Sequence, residues 1–268
     1  MNSLKPDRAI VLMYHQIISD DATENWVPND LADPRYGVRE GEFSKHLSLF
    51  SRMGLPVVDL DSFLSGKSSV GSSNPLSVII TFDDGYESDL SMAAKALVKE
   101  SLPAIFFLST DRLGMPGMMT QDQAKELSSL PGLTIGAHGA THRFLTDLSE
   151  TELKDELDKA QRSLHQLTGD QHFYLSAPGG RVNRSVTKAV SEAGYRGLLT
   201  SNPGVYIRER DPFCIPRLPV LHGTTIKRLQ SLLDPDSFSF HLNGWTRNAR
   251  RIVRETISSS NLKGGRSS

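Results

Sequence analysis

Six short apolar runs punctuate the chain: AIVLMY (9–14), SVIITF (77–82), AIFFLS (104–109), LTIGAH (133–138), HFYLSA (172–177) and GLLTS (197–201). Each has the length and make-up of a buried strand rather than a helix. Between them lie segments whose apolar residues recur with a helical period. Phe43, Leu47 and Phe50 share a face in 42–53, and Leu153, Leu157, Ala160, Leu164 and Leu167 do so in 150–168. Val186, Ala189, Val190 and Ala193 line up in 184–194, with Gly194 as the helix stop. Ser149-x-x-Glu152 at the start of the second of these reads as a capping box. Strands that alternate with helices place parallel strands inside and helices outside. This many units suits a closed or nearly closed barrel better than a small open sheet. In such a barrel the chemistry gathers on loops leaving the C-terminal strand ends.

The residues at those ends are chemically useful. His15 follows the first run, Asp83 and Asp84 the second, His138 and His142 the fourth, and Pro178-Gly179-Gly180-Arg181 the fifth. His138-Gly-Ala-Thr-His142 can bring two imidazole nitrogens to one metal, with a turn favoured over a helix because glycines bracket the first histidine. One carboxylate from the second strand completes a set of two histidines and one aspartate. Three protein ligands leave coordination positions open, as catalytic rather than structural sites do. Nitrogen and oxygen donors suit one divalent ion, Zn²⁺ first, and also Co²⁺, Ni²⁺, Fe²⁺ or Mn²⁺. His46 and His165 read as helix-surface residues.

Composition narrows the remaining classes. A chain of 268 residues is long enough for a sizeable core, and no repeat or compositional break divides it. The formal net charge of −1 carries no basic field for nucleic acid and no acidic excess for disorder. The single cysteine, Cys214, excludes an internal disulfide framework. The opening MNSLKPDRAIVLMYHQI lacks the pattern of a signal peptide, and no stretch is long and apolar enough to cross a bilayer. The expectation is a cytoplasmic protein with one domain over 1–255 and a disordered tail over 256–268. Ser65 to Asn74 reads as a flexible surface loop.

Thr81-Phe82-Asp83-Asp84-Gly85 resembles the T-F-D-D-G motif of the polysaccharide deacetylases, carbohydrate esterase family four. His138-x-x-x-His142 is similar to that family's H-[ST]-x-x-H motif, with Gly139 at the hydroxyl position, and Ser176-Ala177-Pro178-Gly179-Gly180 to its R-x-P-x-G motif. The resemblance covers about residues 9 to 220. It implies an α/β fold, a deformed (β/α)7 barrel, and metal-dependent removal of N-acetyl groups from an amino sugar. It implies Asp83 as catalytic base and Asp84, His138 and His142 as metal ligands. Val11-Leu12-Met13-Tyr14-His15 resembles the permuted branch that includes poly-N-acetylglucosamine deacetylases, which makes His15 the general acid. Tyr14, Pro178, Gly179, Gly180 and Arg181 are then the expected substrate-binding residues.

Two departures from the family pattern stand out. Ser176 replaces the arginine that orients the base, leaving Arg181 or Arg217 as substitutes, and Pro216-Arg217-Leu218-Pro219 stands near the position of the family's D-x-x-x-W-like fourth motif without matching it. The partner expected is an N-acetylated sugar or glycan, with Trp26 and Tyr36 of loop 19–39 as possible sugar-stacking residues. Other readings are a degenerate carbohydrate-binding or assembly module, an O-acetyl esterase or small-molecule amidase of the same fold, and a non-haem iron oxygenase built on two histidines and a carboxylate.

Overall fold

The computed structural model describes residues 7–22, 33–67 and 76–234. Trp26, most of the Ser/Gly stretch and the expected tail lie outside these described residues. In chain order the elements are β1 (Arg8–Tyr14), β2 (Ile17–Ile18), β3 (Val38–Arg39), α1 (Glu40–Arg52), α2 (Leu60–Leu64) and β4 (Leu76–Asp84). A π-helical turn, Asp89–Ala94, then leads into α3 (Lys95–Lys99). There follow β5 (Ala104–Leu108), α4 (Gln121–Ser129), β6 (Leu133–Ala137), α5 (Glu150–Thr168), β7 (Tyr174–Ser176), α6 (Arg184–Glu192) and β8 (Gly197–Leu199). The described chain ends with β9 (Tyr206–Ile207), β10 (Leu218–Pro219) and α7 (Ile226–Leu232).

The main path runs β10-β1-β4-β5-β6-β7-β8, every neighbouring pair parallel, with β9 antiparallel to β1. The segment entering β10 closes the circuit. Ile215 N–H donates to Leu198 O and Ile215 O accepts from Thr200 N–H, both at 2.9 Å, while Leu218 pairs with Leu12 of β1. The fold is thus a deformed (β/α) barrel. Strand alternation separates two cores. Ile10, Leu12, Val78, Ile80, Phe82, Phe106 and Leu108 face outward under the helices. Ala9, Val11, Ile79, Ile105, Phe107, Leu199 and Ile215 form a second cluster with Leu60 and Phe63 of α2, which plug the N-terminal end. Each fully buried side chain of this size contributes roughly 1.5–3 kcal/mol.

Helix α5 shows how local and tertiary signals agree. Both capping-box bonds of Ser149 and Glu152 form, and Gly169 ends the helix with φ 80°. Its stripe Leu153, Leu157, Ala160 and Leu164 is buried. On α1 the pattern corrects one expectation: His46 is fully buried, not on the surface. It shares the inward face with Phe43, Leu47 and Phe50, and its ring nitrogens meet Tyr14 Oη at 3.2 Å and Thr224 O at 2.8 Å. Among the described residues no helix is long and apolar enough to cross a membrane.

Candidate functional site

Inside the barrel, polarity changes along the strands. The inward positions of β4 read Ile79, Thr81 and Asp83, so the apolar plug gives way to polar groups toward the C-terminal end. Strand β4 extends through both aspartates, two residues further than the apolar run suggests. In a regular strand their side chains would diverge. Here Asp84 itself adopts φ 85° and Gly85 φ 92°, so the backbone twists at Asp84 already and both carboxylates stay buried at the same mouth. Asp84, His142 and Ser101 are the only non-glycine residues with positive φ among those described. Two of the three therefore belong to this cluster, where stored strain is held by surrounding contacts.

Asp84, His138 and His142 converge. Their ligand atoms all lie within 4.8 Å of one another. His138 Nε2 stands 3.4 Å and His142 Nε2 2.9 Å from Asp84 Oδ1, a buried atom with no hydrogen-bond partner. His138 Nδ1 is 2.8 Å from Ser176 O, which fixes the tautomer with Nδ1–H donating and leaves Nε2 a lone pair. A His138 lone pair and a second ring nitrogen from His142 thus face one orphaned carboxylate oxygen, a donor set that fits a divalent ion. The electrostatics agree. Burial opposes charge on Asp84, yet contacts with the two imidazoles hold its carboxyl well below the ordinary range. Burial also opposes charge on His138, but Asp83 and Asp84 outweigh it and raise that imidazole. His142 is lowered, chiefly by burial.

Asp83 has different company. Arg217 Nη1 donates to Oδ1 at 2.8 Å and Nη2 to Oδ2 at 2.7 Å, a bidentate pair with the guanidinium fully buried. Ser176 Oγ accepts from Arg217 Nη2 at 2.7 Å and donates to Asp83 Oδ2 at 3.1 Å. Thr81 Oγ1 and Thr200 O accept from Nη1 and Nε, both at 3.1 Å. Arg217 thus supplies from the closing segment the guanidinium that Ser176 lacks. Burial would raise the Asp83 carboxyl, but Arg217 and then His138 hold it below its ordinary value, ionised at neutral pH.

His15 comes to the same mouth. Its pKa is lowered by burial, against the opposing pull of Asp84 and Asp83. Tyr36 covers the ring, centroid to centroid 4.2 Å, and His15 Nδ1 is buried without a hydrogen-bond partner. Tyr14, one position earlier, is not brought to this group. Alternation turns it outward, where it stacks on Phe82 at 5.3 Å and is fully buried in the helix-side core. Pro178, Gly179 and Gly180 form a turn beside the histidine loop, and Arg181 lies over the Phe144 ring instead of reaching Asp83.

Glu156 is the contributor that sequence reasoning missed. From α5 its Oε1 accepts Ala140 N–H at 2.8 Å and Thr141 N–H at 2.7 Å, and both oxygens meet Thr141 Oγ1. It clamps the turn between the two histidines. Gly139, with φ 72°, leaves room for it, since a Cβ there would stand 2.8 Å from Oε1. The signal was present: a glutamate adjoining the apolar stripe of α5. Tyr86 adds a hydrogen bond to the Asp84 carboxylate.

Residues 71–198 match the family described as polysaccharide deacetylase. A Bacillus subtilis (strain 168) protein named as a polysaccharide deacetylase, YxkH, is 26% identical over 219 residues, 82% of this chain and 74% of that protein. The poly-beta-1,6-N-acetyl-D-glucosamine N-deacetylase of Staphylococcus epidermidis is 22% identical over 229 residues, 79% of this chain and 78% of its own. Among solved structures, the Streptococcus pyogenes deacetylase PplD in complex with acetate superposes with a TM-score of 0.74 at 20% identity, covering 86% of this chain and all of that one, a likeness of fold.

Proposed function

We propose that the chain is a member of the polysaccharide deacetylase family and that it hydrolyses the N-acetyl group of an amino sugar within a glycan, using one divalent ion. The observation that carries this is the pairing of an orphaned, histidine-flanked Asp84 oxygen with a neighbouring Asp83 held by Arg217. Asp84, His138 and His142 hold the ion, and their two nitrogens and one carboxylate suit Zn²⁺ or a similar transition metal. When bound, the ion supplies a Lewis acid that polarises the acetyl carbonyl and acidifies a water.

The chain's own residues do the rest. Asp83, kept ionised by Arg217, accepts the proton of the attacking water. Both of its oxygens are steered by the same guanidinium, so the base cannot rotate away. His15 is the proton donor to the departing amine, and no group among the described residues engages its Nδ1. In the Pro178–Gly180 turn, Pro178 has no N–H and the Gly180 N–H already donates to Ala177 O, so the Gly179 amide is the donor this turn can offer the developing oxyanion. The loss of the motif arginine at Ser176 favours a degenerate binding module only while nothing replaces it, and Arg217 does replace it.

The test is acetate release from N-acetylated chito-oligosaccharides and poly-N-acetylglucosamine fragments, beside an O-acetylated sugar and a non-sugar acetamide. Release from the N-acetyl sugars that stops on chelation and returns with Zn²⁺ or Co²⁺ is expected. Exclusive action on the ester or the acetamide, or release unaffected by chelation, contradicts the reading.

A further inference from the structure

Among the described residues Phe144 and Met115 are the large hydrophobic side chains left exposed, Phe144 at 36%. Phe144 lies two positions beyond His142, and its surroundings trace a path out of the site. The loops over 138–144 and 176–181 run side by side. At their buried end His138 Nδ1–H meets Ser176 O at 2.8 Å. Next, the Gly139 and Pro178 positions adjoin. Further out, Gly179, with φ 63°, packs so closely that a Cβ would stand 2.5 Å from Phe144 Cε1. At the exposed rim the Arg181 guanidinium carbon lies 4.0 Å from the centre of the Phe144 ring. Among the described residues Arg181 has no hydrogen-bond acceptor, so its donors remain available.

We propose that Phe144 and Arg181 form a sugar-binding subsite beside the deacetylation centre, taking the pyranose next to the one that reacts. The proposal rests on the deacetylase reading and narrows its substrate to an oligosaccharide or polymer. An aromatic ring offers a broad face at small entropic cost, and the C–H groups of a pyranose pack against such a face. A guanidinium already over the ring strengthens the platform through cation–π attraction and presents a fixed fork of donors to sugar hydroxyls. The absence of a side chain at Gly179 is what lets Phe144 fill this position.

Two measurements test it on the metal-loaded full chain. Acetate release is compared between N-acetylglucosamine and its β-linked tetramer. Binding of the fully deacetylated tetramer is followed by calorimetry. The tetramer is expected to exceed the monosaccharide in kcat/KM by tenfold or more, on the order expected when remote contacts contribute binding energy. Phe144→Ala and Arg181→Met should each raise KM for the tetramer about tenfold, weaken tetramer binding to match and change kcat little, with Phe144→Tyr restoring both. Equal kcat/KM for monosaccharide and tetramer in the parent overturns the subsite. So does an Ala variant that binds the tetramer as the parent does, or one that loses both substrates equally with a lowered melting temperature, the mark of mere loop packing. Failure to release acetate from any sugar overturns the deacetylase reading instead, and the dependence of tetramer binding on Phe144 still decides the subsite.

Discussion

Asp83→Asn is expected to bind a divalent ion about as tightly as the parent and to release acetate roughly 10²- to 10⁴-fold more slowly, the range for loss of a general base. The two aspartates are adjacent in sequence, but their atoms have separate partners. Asp84 Oδ1 faces two imidazoles and has no hydrogen bond, whereas both Asp83 oxygens are engaged by Arg217. An asparagine keeps an acceptor for Nη1 and nearly the same volume but cannot take a proton from water. Equilibrium metal binding and single-turnover acetate release on the same preparation check this. Unchanged turnover removes Asp83 as base, and lost metal affinity moves it into the ligand set.

Arg217→Met should produce the largest loss of stability of any single change at the site. The guanidinium is fully buried and neutralises a buried carboxylate, and removing one partner of such a pair costs about 3–5 kcal/mol because the other charge is left uncompensated. Thr200 O, Ser176 Oγ and Thr81 Oγ1 each lose a donor as well. Denaturant unfolding at neutral pH reads the loss. Combining it with Asp83→Asn should recover part of the stability, since neither charge is then unpaired. Activity should stay low in the double variant because the base is absent. A destabilisation below about 1 kcal/mol would place the pair in the range of solvent-screened ion pairs and contradict its role as a buried clamp.

What the sequence shows and what it hides follow from distance along the chain. The strand runs and the residues attached to their ends are local, so the barrel and the group Asp83, Asp84, His138 and His142 could be read directly. His15 could be read because it ends the first strand, but Tyr14 beside it could not be placed without the register. Pairing of Tyr14 with Phe82 on the outward face turns it away from the site. Arg217 and Asp83 are 134 residues apart, and only closure of the barrel through Ile215 and Leu218 makes them neighbours. Glu156 acts on backbone amides of the histidine loop, a role invisible to any motif of side chains. Burial of His46 depended on Tyr14 and Thr224 arriving from other elements.

The central claim is that Asp84, His138 and His142 hold the ion on which acetate release depends. Its most direct test is a Zn²⁺ titration of chelator-treated protein, with calorimetric binding and acetate release from an N-acetylated oligosaccharide followed in parallel, for the parent and for Asp84→Asn. The parent should take up a single ion per chain and gain activity in proportion to occupancy, while Asp84→Asn should show neither. Full acetate release by the metal-free parent, or parent-like binding and release by Asp84→Asn, would contradict the account.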